Sequence, residues 1–150
     1  MATTLVYLVP DFTSDNLVIS GTVNIGTFCG TFVHMNWGHW FSNMIFLIPV
    51  WIYADKLTSN PFVTIIVFAN LLLTGIYGLL SYQRLCGLSG VVFMLIGLTA
   101  ILGNWLMFGF AALLFFAEFT LLGDEDGMSH GAHIIFFVIG LGIGIAKCVF

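Results

Sequence analysis

The sequence predicts an all-α protein, a polytopic transmembrane helical bundle of about five spans. Three observations predict it. The chain has 150 residues, of which 60% are hydrophobic and only 7% charged, and its mean hydropathy is +1.11. A soluble domain carries about 25% charged residues, so there is too little charge here to cover a water-facing surface. Apolar stretches of roughly 20 residues, the length that crosses a bilayer, alternate with short polar connections.

Residues 1–15 are a short apolar start followed by Pro10, Asp11 and Asp15, too short to span. Met1 to Pro10 has no basic stretch ahead of its apolar residues, so no signal peptide is expected. Residues 16–33, NLVISGTVNIGTFCGTFV, are uncharged but rich in Gly, Thr and Asn. They read as a poor first helix or as a partly embedded loop, with the loop preferred. The first full span is expected from Trp37 to Ala54, with Pro49 inside it and Asp55 and Lys56 ending it. Pro61 opens the second, which runs to Ser81, and proline suits a helix's first turn. Tyr82, Gln83 and Arg84 connect it to a third span from Gly87 to Gly103. A turn at Asn104 leads to a fourth from Trp105 to Leu122, the acidic loop GDEDGMSHG follows, and a fifth runs from Ala132 to Cys148. There is no internal repeat and no low-complexity tail.

Lys56, Lys147 and the Asn104 turn fall on one side; Asp124, Glu125 and Asp126 fall on the other with Asp11 and Asp15. Positive loops face the cytoplasm, which directs Ser89, His34 and the acidic loop outward; Arg84 is the exception. With 3 basic residues the chain cannot build a phosphate-binding patch, which excludes nucleic acid. Cys29, Cys86 and Cys148 are far apart with no CxxC, so they read as small buried residues rather than a metal or disulfide set.

The chemistry-bearing residues are few. Ser89 stands in Gly87-Leu88-Ser89-Gly90 at the mouth of the third span. Flanking glycines permit a sharp turn and close backbone approach, and they let the serine N–H point where its hydroxyl attacks. Plain helix packing would use the same glycines. Residues 34–43 read HMNWGHWFSN. His39 and Asn43 are four apart and share a helix face, either as wetted interfacial groups or as donors to a developing oxyanion. His34 reads as a headgroup-level or loop-bracing residue. His133 enters the fifth span on the face that carries Gly140 and Gly144. Small residues four apart allow close helix approach, and Gly90 and Gly97 on the Ser89 helix offer a matching surface. Packed glycine to glycine, the two helices bring His133 to Ser89, as a histidine-activated serine requires. Asp124 and Asp126 reach His133 only by chance, so a Ser–His dyad is expected rather than a triad. Glu118 is read as snorkelling to the outer interface, with a gating role as the lesser alternative, and His130 as a loop residue without a role.

HxxxxHxxxN, then GxSG, then Ala-His opening the last helix resembles the rhomboid family of intramembrane serine proteases, over residues 31–148. The resemblance implies a rhomboid-like bundle whose first helix is reduced or missing. Residues 1–33 would be an N-terminal segment and outer loop, and 34–150 the catalytic membrane domain. It implies Ser89 as nucleophile, His133 as general base, and His39, Asn43 and the Ser89 amide as oxyanion donors, supported by Gly87 and Gly90. His34, Phe93, Gly97 and Gly140 would be structural, with Phe93 replacing a frequent tyrosine that packs on the catalytic imidazole. The implied substrate is a transmembrane protein, the setting a bilayer of the bacterial inner or plasma membrane type with the site opening outward. No cofactor and no metal are implied. VHMNWGHW also resembles the small bacterial rhombosortase branch, which processes C-terminal anchors of exported proteins. Two departures stand out: the Trp-Arg motif of the first loop is absent, and Phe136 replaces a usual glycine three residues after the histidine, where a ring would hold the helices apart or turn to lipid. They motivate an alternative, a catalytically inactive rhomboid-like protein that binds transmembrane clients. A haem held by His39 and His133 is a further alternative; a metalloprotease lacks its HExxH.

Overall fold

The computed structural model describes residues 23, 27, 30–34, 37–81, 85–103, 105–117, 120 and 130–150. A 3-10 turn at Gly30–Phe32 precedes five helices: α1 Trp37–Leu57, α2 Asn60–Ser81, α3 Ser89–Leu102, α4 Trp105–Ala117 and α5 His130–Val149. No strand occurs among the described residues. Most of residues 1–33, where a reduced first helix was expected, lies outside them, as do Cys29, Arg84, Glu118 and the Asp124 loop.

Several boundaries differ from expectation. α1 continues through Asp55 and Lys56, which form its last turn instead of ending it; a lysine there favours the negative end of the helix dipole. Pro49 sits inside α1 without interrupting it. α5 begins at His130, so this histidine belongs to the first helical turn and not to the loop. The third helix starts at Ser89 rather than Gly87, because Gly87 has φ +90°, a conformation no right-handed helix contains.

α3 is the axis of the bundle and packs against each of the other four helices. It is apolar all round, and every residue from Gly90 to Ala100 is buried. Such a helix has no face to offer solvent and must be enclosed. Its most extensive partner is α5. Glycines allow this approach: a methyl on Gly97 would overlap the Phe137 carbonyl, and one on Gly140 the Met94 carbonyl. A methyl on Gly144 would lie 2.7 Å from Ile101 Cβ. Gly90 also faces α5, but it meets a side chain there rather than backbone. It faces the ring of Phe136, whose Cδ2 would be 3.0 Å from an added methyl. At the far end, Lys147 Nζ lies 5.2 Å from the Phe62 ring centroid and ties α5 to α2.

α2 and α5, of 22 and 20 residues, are long and apolar enough to cross a membrane. α3, with 14 residues, is shorter. At 1.5 Å per residue it rises about 21 Å, against a hydrocarbon core of about 30 Å.

Candidate active site

The N-termini of α1, α3 and α5 converge at the end of the bundle opposite Lys56 and Lys147. His133 Nε2 and Ser89 Oγ are 2.7 Å apart, a short hydrogen bond in which the hydroxyl donates when the imidazole carries its proton on Nδ1. The glycine seam sets this meeting. With α3 and α5 locked at Gly97 and Gly140, Ser89 at the head of one helix faces His133 one turn into the other.

The His133 imidazole stacks on Phe93, with centroids 4.5 Å apart and planes 20° from parallel. Phe93 stands one turn below Ser89, so the helix that carries the serine also orients the imidazole. Phe115 of α4 packs behind Phe93 at 4.8 Å. Phe136 neither wedges the helices apart nor turns outward. It is 1% exposed, set against Gly90 and edge-on to Tyr77 at 6.3 Å. The glycine beside the serine therefore makes the room that the ring fills.

The oxyanion candidates come from α1. At Gly87 an added methyl would lie 2.8 Å from His39 Cε1, 2.9 Å from His39 Nε2 and 3.1 Å from Asn43 Nδ2. Both side chains thus lie against the turn that presents Ser89. Asn43 is 6% exposed, and its Nδ2 has no hydrogen-bond partner among the described residues. An unpaired buried amide costs about 1–3 kcal/mol, and an oxyanion would relieve that cost. The Gly87 N–H donates to the Gly30 carbonyl at 3.3 Å, and Val33 N–H donates to the same oxygen at 3.0 Å. The 30–34 turn and the serine turn are one unit.

His34 sits in that unit, 1% exposed. Burial first, and the neighbouring His39 second, push its pKa down from 6.5 to about 4. The folded state therefore binds fewer protons at this residue than the unfolded chain does. Its contribution to stability is complete above pH 6.5 and is lost as pH falls toward 4. We expect the melting temperature in detergent to fall between pH 7 and 4.5, and to fall less in His34→Gln.

Ser89, His133, His39 and Asn43 share a cavity of about 180 Å³, with Ser42, Phe46, Val92, Phe93, Leu114 and Ala117 as its other walls. No charged residue is among them. Ser42 and Phe46 were legible as part of this wall, since 39, 42, 43 and 46 follow the three-and-four spacing of one helix face. Leu114 and Ala117 were not, because α4 is apolar on every side. Among the described residues no group of three metal-ligating side chains occurs. Of the expected site residues, Gly87 and His34 stand behind this cavity against the His39 ring, and Gly90, Gly97 and Gly140 are packing positions away from it.

Gly87 gives a sharp prediction. Alanine there is strained by the positive φ and collides with the His39 ring. Gly87→Ala should leave the bundle folded and displace His39, so that active-site labelling by a serine-directed probe slows at least tenfold, of the order expected for a misplaced catalytic group. Labelling at the wild-type rate would show that the His39 position does not matter.

Compared with known proteins, the chain matches no family model and no curated protein.

Proposed function

We propose that this chain is a rhomboid-type intramembrane serine protease, a polytopic bundle that hydrolyses a peptide bond in or beside a transmembrane segment of another protein. One observation carries the reading. A serine within 2.7 Å of a histidine nitrogen shares a cavity with a buried amide donor that has no hydrogen-bond partner among the described residues. Core packing alone gives no reason for the three to converge.

Supporting it, the outward-facing residues of several helices are large and apolar, among them Ile48, Ile52, Phe68, Leu72, Leu113 and Val138. Lipid covers such a surface where water would not. Because α3 is about 9 Å shorter than the hydrocarbon core, Ser89 opens below the membrane surface when the helix reaches the opposite face. The proposed membrane is of the bacterial inner or plasma type, with Lys56 and Lys147 inside and the site open to the outer side.

In the proposed reaction His133 Nε2 takes the Ser89 proton as Oγ attacks the substrate carbonyl carbon. Asn43 Nδ2, His39 and the Ser89 N–H donate to the resulting oxyanion. His133 passes the proton to the leaving amine, the C–N bond breaks, and an acyl-Ser89 ester remains. Water, deprotonated by His133, then attacks the ester and frees Ser89. A regular helix shields its carbonyls, so a suitable substrate has weak, Gly- or Ala-rich turns near its outer end.

The test is cleavage of such a transmembrane peptide in vesicles containing the purified protein. Wild type is expected to cut it. Asn43→Ala and His39→Ala should each lower the rate about 10²–10³-fold, the usual loss for one oxyanion donor. Failure of a well-folded wild type to cleave, or to react with a fluorophosphonate, would overturn the proposal.

A further inference from the structure

We infer that His34 is a positioning residue, whose ring edge holds the His39 imidazole against Gly87 in the pose from which it donates to the oxyanion. This rests on the proposed protease reading and goes beyond a loop-bracing role.

His39 is the third residue of α1, after Trp37 and Gly38, both exposed. A helical side chain leans toward the helix N-terminus and normally rests on the preceding turn. Two neighbours outside the helix pack against the His39 ring. On one side is Gly87, close enough that a methyl would lie 2.8 Å from Cε1 and 2.9 Å from Nε2. On the other is His34, with ring centroids 5.2 Å apart and planes at 67°. That is an edge-to-face pair.

His34 is itself enclosed. It is 1% exposed, and its turn is pinned through the Gly30 carbonyl, which accepts from both Val33 and Gly87. The backbone that sets Ser89 therefore also sets His34. Through His34 it fixes the distance from the His39 donor to the serine. An oxyanion donor works only when held in place before the charge develops, and a displacement of about 1 Å costs up to about a hundredfold in rate.

The test is a double-mutant cycle read by fluorophosphonate labelling, in which an Oγ–P bond forms at Ser89, fluoride leaves and the phosphoryl oxygen occupies the oxyanion site. His34→Leu fills the buried site without a flat ring; His34→Phe keeps the ring. We expect His34→Leu to slow the maximal labelling rate at least tenfold, with little change in the probe concentration for half-maximal rate. His34→Phe should recover most of that loss. In a His39→Ala background, His34→Leu should slow labelling no further, because the residue through which it acts is gone. An equal loss with and without His39, or a loss in His34→Phe as large as in His34→Leu at unchanged melting temperature, would overturn the inference while leaving the protease reading intact. A folded wild type that never labels would overturn both. Where His34→Leu does not fold, His34→Gln carries the same comparison.

Discussion

Ser89→Ala should abolish fluorophosphonate labelling and peptide cleavage, and His133→Ala should reduce both by about four to six orders of magnitude. The expectation follows from the 2.7 Å contact between Oγ and Nε2. Without the imidazole the hydroxyl keeps its proton and is a weak nucleophile. Non-additivity is the discriminating feature. Residues that act as one unit cost about as much singly as together, so the double variant should be no slower than Ser89→Ala. Ser89 is partly exposed to the cavity, and its removal leaves the helix seam intact, so the melting temperature should change little. Loss of activity with a large loss of stability would point to a packing role for Ser89. Labelling that survives in Ser89→Ala would place the nucleophile elsewhere.

Gly97→Ala and Gly140→Ala should be the most destabilising small substitutions in the chain. In each, the added methyl meets backbone of the facing helix, the Phe137 carbonyl for Gly97 and the Met94 carbonyl for Gly140. A side chain can rotate aside and a carbonyl in a helix cannot, so α3 and α5 must separate. Overpacking costs about 1–3 kcal/mol where the surroundings yield, and these positions should fall at or above the top of that range. The same separation draws His133 away from Ser89, so labelling should fall with stability. Gly109→Ala and Gly142→Ala are the controls, since nothing lies within 4 Å of a methyl at either. They should match wild type or gain slightly in stability, because alanine costs less helix entropy than glycine. Thermal unfolding in detergent, measured on all four variants, checks the contrast. Equal effects at the seam and control positions would mean that glycine there serves the chain's flexibility and not the helix approach.

Much of this was legible in the sequence because it rests on period and punctuation. Charge scarcity and hydropathy gave five apolar helices, and Trp105 and Ser81 fell at helix ends as expected. His39 and Asn43 share a face because α1 is helical, whatever surrounds it. The pairing of Ser89 with His133 was reachable through the small-residue spacing at Gly140 and Gly144. Three things were not reachable. Gly90 looked like a seam glycine, yet it receives the Phe136 ring; which neighbour fills a glycine's gap depends on how α5 is rotated, and spacing does not encode rotation. The Gly87 φ of +90°, which starts α3 two residues later than expected, depends on the Gly30 carbonyl reaching across from a segment 57 residues earlier in the chain. Leu114 and Ala117 line the cavity although an all-apolar helix shows no preferred side in its sequence.

The sequence by itself therefore determined the helical class, the element order and the residue types able to do acyl-transfer chemistry, because these follow from local composition and helical periodicity. Only the tertiary structure decided that His39 and Asn43 join the Ser89–His133 pair around one cavity, and that Phe136 is accommodated beside Gly90. Those outcomes depend on the rotation and separation of α1, α3 and α5, which steric contact between backbones settles, and no local pattern in a single chain segment records it.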